Sequence, residues 1–172
     1  MKIRIPTNKE YDKLVELTGS NNEKMHWKNI FSWVNDTEND YNLDSLYRAR
    51  RGHYSARYRS NRSAPTRDVH LGFRPACELD TNTIIVDIKT GDLVVIGTLY
   101  MDGKPVKVPQ NPTWNGDITD YIPGAKLEMR EALDDPAYQA AGIYIGNGIA
   151  VADRVLLKSI SYQDIETTSI NL

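Results

Sequence analysis

A single cysteine, Cys77, excludes any intramolecular disulfide. Its setting, Arg74-Pro75-Ala76-Cys77-Glu78-Leu79, suits a small buried apolar position, with no partner that would make a reactive thiol. No run of ~18 apolar residues is present, so no helix is expected to span a membrane. Met1-Lys2-Ile3-Arg4-Ile5-Pro6 lacks the apolar core of a signal peptide and reads as an amphipathic strand, which fits a cytoplasmic protein. Lysine is missing between Lys28 and Lys89, and Asp68 is the one acid between Tyr47 and Arg74. Walker and Gly-x-Ser-x-Gly motifs are absent, and His26, His53 and His70 have no ligand at metal-like spacing, so no cofactor, metal or catalytic residue is expected.

What is there is arginine. Between Tyr47 and Arg74 stand Arg48, Arg50, Arg51, Arg57, Arg59, Arg62, Arg67 and Arg74, which is 8 of the chain's 11. That segment carries a charge of +7 within a chain of net charge -2, so the remainder is strongly acidic. A solvated basic face would mix lysine with arginine. Arginine alone favours forked hydrogen bonds to phosphate or carboxylate and stacking on flat groups. The contact residues expected are therefore Arg48, Arg50, Arg51, Arg57, Arg59, Arg62 and Arg67. The bland alternative is internal pairing with Asp36–Asp44 and with acids of the second half.

Periodicity outlines an α+β chain. Thr7 and Glu10 form a capping box, Tyr11, Leu14, Val15 and Leu17 give an apolar face, and Gly19 ends that helix. A second helix or compact segment is expected around Trp27, Ile30, Phe31 and Trp33, then an exposed acidic loop over Asp36–Asp44. Tyr54–Arg59 and Val69–Arg74 read as the strands of a hairpin, turning at Ser60–Pro65. Tyr54, Ala56 and Tyr58 would point inward, and Arg57 and Arg59 outward. Further strands are expected at Ile84–Ile88, Leu93–Leu99, Val106–Val108, Gly142–Ile145, Ile149–Ala152 and Val155–Tyr162, with turns at Lys89–Asp92, Met101–Lys104 and Gly146–Gly148. Gln110–Gly124 reads as a long ordered loop, Ala125–Leu133 as a short helix and Ile165–Leu172 as a weakly ordered tail.

Two runs carry a family resemblance. Arg4-Ile5-Pro6-Thr7-Asn8-Lys9-Glu10-Tyr11 resembles the R-L-P-T-x-x-E-W run of formylglycine-generating-enzyme-like domains. Arg51-Gly52-His53-Tyr54-Ser55-Ala56-Arg57, followed by Leu71-Gly72-Phe73-Arg74-Pro75-Ala76, resembles their R-G-G-S-W … G-F-R ending and, more closely, small domains of bacterial and phage proteins. The resemblance covers roughly the first 80 residues. It implies a C-type-lectin-like domain over residues 1–81, with one or two helices and a twisted antiparallel sheet, followed by a mainly β part with a short helix over residues 82–172. It also implies a ligand face containing Arg57, Arg59, Arg62 and Arg67, with Arg74 holding loops together. The family's paired active-site cysteines are missing, so its enzymatic activity does not carry over. Trp33-Val34-Asn35-Asp36 echoes the calcium-binding W-N-D run of sugar-binding lectins, but no E-P-N accompanies it.

The expected function is non-enzymatic binding of an anionic macromolecule, a nucleic acid or nucleoprotein. The style of protein suggests a phage inhibitor of a host defence nuclease, an anti-CRISPR-like protein acting on a CRISPR effector; a homo-oligomer is possible. In place of the arginine face, acids such as Asp36, Glu38, Asp40 and Asp44 could instead mimic phosphates and occupy a basic groove. The alternative is a receptor- or glycan-binding lectin-like module of a phage particle. A nuclease using His53 and His70 beside the arginines would need an acid or a metal site that the sequence does not display.

Overall fold

The structure is a computed structural model and describes residues 1–35, 46–79 and 87–169. It is an α+β fold, mostly β, built on two curled and mainly antiparallel sheets.

The first helix, α1 (Asn8–Thr18), begins and ends as its sequence dictates. Thr7 accepts from the Glu10 amide, Glu10 accepts in return from the Thr7 amide, and Gly19 closes the helix at φ 62°. Tyr11, Leu14, Val15 and Thr18 form its buried face. Only α2 (Asn22–Met25) follows as helix. Phe31 and Trp33, expected there in a helix or compact segment, instead lie in β2 (Phe31–Val34), which is buried on both faces. A strand covered on both sides loses its alternation, which is why the sequence misleads here.

Sheet II takes the order β4-β3-β2-β5-β13-β9. Its strands are β3 (Tyr47–Gly52), β4 (Arg59–Ser63), β5 (Leu71–Phe73), β9 (Thr119–Asp120) and β13 (Leu157–Lys158), with β2 at the centre. Sheet I takes the order β1-β6-β12-β11-β7-β10, with β8 also on β7. It comprises β1 (Lys2–Arg4), β6 (Ala76–Glu78), β7 (Leu93–Met101), β8 (Lys104–Pro105), β10 (Leu127–Arg130), β11 (Ala140–Gly146) and β12 (Ile149–Ala152). The main core lies between the sheets, where Phe31, Trp33, Leu71 and Phe73 of sheet II meet Ile96, Leu99, Leu127 and Ala150 of sheet I. A second cluster packs α1 through Tyr11, Leu14 and Val15 against Val34, Ala49, Ile143 and Val151. Both sheets draw strands from both halves of the chain, so a boundary near residue 81 does not divide the fold.

Several local expectations are corrected. Residues 54–58 are not a strand: Gly52 (φ 96°) and His53 (φ 71°) take left-handed backbone and turn the chain, so the hairpin is β3–β4, with Arg59 opening β4, one element earlier than expected. Gly52 has a second reason to lack a side chain, since a Cβ would sit 3.1 Å from the Ile30 carbonyl oxygen. The expected helix over Ala125–Leu133 is β10, with Leu127 and Met129 inward and Arg130 outward. The expected tail is α3 (Tyr162–Ser169), where Ser161 and Asp164 exchange side-chain and amide hydrogen bonds as a cap and Ile165 is fully buried. The strand expected from Val106 and Val108 is not formed there, β8 ending just before it at Pro105, and the one expected over Val155–Tyr162 shrinks to β13. Residues Ile84–Val86 of another expected strand lie outside the described residues, as does the acidic loop over Asp36–Asp44. Cys77 is buried in sheet I, and burial pushes its thiol up to about 12.

Candidate functional site

Strand alternation splits the arginines. Cross-strand pairing sets Arg48 opposite Arg62 and Arg50 opposite Ser60, whereas Arg51 faces Arg59 on the other side of the sheet. Arg51 is therefore not an outward residue. It is buried, donates to Asp12 (2.6 Å) and Asn8 (3.1 Å) of α1, and lies 4.5 Å from the centre of the Tyr11 ring. Arg74 is buried completely and donates to the carbonyls of Ala152 and His26, the structural role that the resemblance implied. His26 caps α2 in left-handed conformation.

Two other arginines are drawn to carboxylates at the surface. Arg67 grips Asp164 at 2.8 and 2.9 Å, and Arg62 reaches Asp68 at 3.4 Å. Arg48 leans over the Tyr162 ring at 5.0 Å. Arg57 and Arg59 are exposed. Arg57 makes no ion pair, and Arg50 donates to no carboxylate, among the described residues; Arg50 donates through Nε to Ser60. Thus internal pairing accounts for Arg51, Arg62 and Arg67, whereas Arg50 and Arg57 make no ion pair with a carboxylate among the described residues.

Arg50 sits among aromatic rings which the sequence scattered over four segments. Phe31 is the floor. The Arg50 guanidinium lies 3.8 Å from its centre and His53 stacks at 4.5 Å, nearly parallel. Two flat groups that close cannot share one face, so Phe31 is held between them. Tyr54 stands edge-on to His53 at 4.5 Å, and Tyr58 edge-on to Tyr54 at 4.9 Å. On the other side His70 stands 6.0 Å from His53 and 4.6 Å from Trp114. Tyr54 is 67% exposed, Tyr58 39% and Trp114 38%, so this is a surface of rings rather than a core. The expectation that Tyr54 and Tyr58 point inward fails because they lie in the turn and not in a strand.

The electrostatics are mixed. Burial pushes Arg50 down, and Arg62 adds to this, against the pull of Asp68 and the two tyrosines. Burial likewise lowers His53, helped by His70 and Arg50. Burial would raise Asp68, but hydrogen bonds from the His70 amide, the His70 ring and Arg62 outweigh it and keep it an ionised acceptor. His70 Nδ1 lies 2.8 Å from Asp68 Oδ1. His53 Nδ1 is buried with no hydrogen-bond partner among the described residues.

Trp114 and Phe31 were missed by sequence reasoning. Trp114 is delivered by the 109–118 loop, in which Asp117 accepts from the amides of Gln110 and Asn111. Its amide donates to Asn29, and its carbonyl accepts from Lys158. No periodicity links a loop tryptophan to a histidine more than forty residues earlier. Among the described residues no cluster of His, Cys, Asp and Glu is placed to hold a metal ion, and no helix is long and apolar enough to cross a membrane. No family model, no curated protein and no solved structure matches this chain.

Proposed function

We propose that this chain is a binding protein that takes an unpaired nucleic-acid segment, free or within a nucleoprotein, on the ring surface of Tyr54, Tyr58, His70 and Trp114. The observation that carries the proposal is the meeting of exposed rings with Arg50, a guanidinium group that donates to no carboxylate among the described residues, in a turn that also exposes Arg57. Unpaired bases stack on such rings, and each stacked base contributes roughly 1–3 kcal/mol. Arginines fix the adjoining phosphates. A long duplex hides its bases and would meet the acidic remainder of the chain. A C-type-lectin-like scaffold agrees with this reading, because it would present a ligand on the same turn. A defence nucleoprotein such as a CRISPR effector, with exposed single strands, is the partner class we favour, and inhibition is the role.

One observation favours a second reading. Exposed Trp114 and Tyr54 are also what a sugar ring packs against, so a glycan-binding module of a phage particle is the alternative.

Fluorescence anisotropy with single-stranded and duplex oligonucleotides, at two salt concentrations, tests the proposal. Single strands should bind, more weakly at higher salt, and Tyr54→Ala should weaken binding about tenfold. Binding to immobilised glycans without any nucleic-acid binding would establish the alternative instead.

A further inference from the structure

Within the proposed nucleic-acid surface, we propose that His53 and His70 form the seat for one phosphodiester, and that filling it adds a proton to His70. The inference rests on the binding reading above and names the group that the two imidazoles hold.

The geometry begins with Asp68. Its carboxylate accepts from the His70 backbone amide at 2.9 Å and lies 2.8 Å from His70 Nδ1. An ionised carboxylate can only accept, so the His70 Nδ1 carries the hydrogen. The second nitrogen, Nε2, is then a bare lone pair in the neutral ring and has no partner among the described residues. A lone pair repels a phosphate oxygen, whereas an N–H donates to it. A bound phosphodiester therefore selects the ring protonated on both nitrogens, held between Asp68 on one side and phosphate on the other.

His53 complements this. Its Nδ1 is buried and unpaired, a poor place for a charged N–H. The neutral ring with its hydrogen on Nε2 avoids that penalty and still offers one donor. Stacking on Phe31 fixes its plane, and the left-handed backbone at φ 71° fixes its direction. The two rings stand 6.0 Å apart and nearly perpendicular, so they do not stack on one another and each keeps its own edge for a donor. Arg50, on the opposite face of Phe31 from His53, is placed for a neighbouring phosphate.

The groups bearing on the pair come from every side. Asp68 faces His70 from its own loop, Arg62 comes from β4 and Arg50 from β3. Tyr54 and Tyr58 come from the turn. Asp117, in the loop that brings Trp114, is turned toward that loop's own amides. The phosphodiester does not titrate near neutral pH, so any proton taken up on binding belongs to the protein.

The test is titration calorimetry of the full chain with a short oligothymidylate, in two buffers of different ionisation heat, at about pH 5.5 and about pH 8. Expected are tighter binding at the lower pH, by roughly tenfold, and uptake of about one proton in the intermediate range. His70→Gln should abolish the uptake while retaining salt-dependent binding. His53→Gln should weaken binding and leave the uptake in place. Thermal midpoints unchanged at about pH 8 would show that both variants fold. Binding that is independent of pH, or uptake that survives His70→Gln, overturns the phosphate seat and leaves the binding proposal standing. No binding at any pH or salt concentration overturns both.

Discussion

Arg51 Nη1 lies 2.6 Å from Asp12 Oδ1, which ties β3 to α1 and removes one guanidinium from the surface that its neighbour Arg50 helps to build. Arg51 is buried, while the Asp12 side chain is 62% exposed. Solvent screening keeps the pair from being worth a fully buried ion pair. Asp12→Ala would still strip a buried cation of its carboxylate, at a cost of about 1 kcal/mol. Urea denaturation should show that loss, with oligonucleotide affinity unchanged.

Arg57→Glu combined with Arg59→Glu reverses charge at two exposed positions in and beside the turn. The thermal midpoint should stay within a degree or two of the parent, since surface changes of this kind usually alter stability by less than about 0.5 kcal/mol. Affinity for a single strand should fall. The slope of log affinity against log salt should flatten by about 1 to 2, which a salt titration measures. Unfolding of the double variant would instead mean that these arginines serve the fold.

The Trp114 loop has little room for change. A Cβ on Gly116 would lie 1.9 Å from the Asn111 carbonyl oxygen, so Gly116→Ala must shift the loop that carries Trp114. Tryptophan emission should change, and single-strand binding should weaken about tenfold or more. Far-ultraviolet dichroism should be retained, because the core between the sheets is elsewhere.

Acid should weaken the fold even where it strengthens ligand binding. Burial raises Glu10, but hydrogen bonds from Arg4 and Thr7 outweigh it and hold the carboxyl below its usual range. Asp164 behaves likewise, with burial opposed by Arg67 and Ser161. A carboxylate lowered in the folded state stabilises it above the ordinary carboxylate pKa, and that contribution is lost as pH falls through the folded value. His26 and His53, both lowered first by burial, act in the same direction at higher pH. The unfolded chain protonates them first, so stability begins to fall below the ordinary histidine value of 6.5. Thermal midpoints measured from neutral to acid pH should fall in two stages, and His53→Gln should diminish the first. A midpoint flat down to about pH 4 would contradict the histidine part.

Much of the scaffold was legible because its signals are local. Thr7, Glu10 and Gly19 specify α1 by contacts within a few residues, and Gly146-Asn147-Gly148 specifies the β11–β12 turn in the same way. The Ser161–Asp164 cap was equally local and could have revealed α3. The alternation of Leu127 and Met129 with Glu128 and Arg130 could have revealed β10.

The amino-acid order by itself determined an α+β chain, its first helix, most of its hairpin turns and an arginine segment in an acidic context. Tertiary structure alone decided which arginines remain for a partner, because that depends on which face of β3 each occupies and on carboxylates such as Asp12 and Asp164 that are distant in sequence. It also decided the ring surface. Phe31, His53, His70 and Trp114 become neighbours only when β2 pairs with β3 and β5 and the 109–118 loop docks beside them, since contact across such separations is fixed by strand pairing and loop docking and not by local preference.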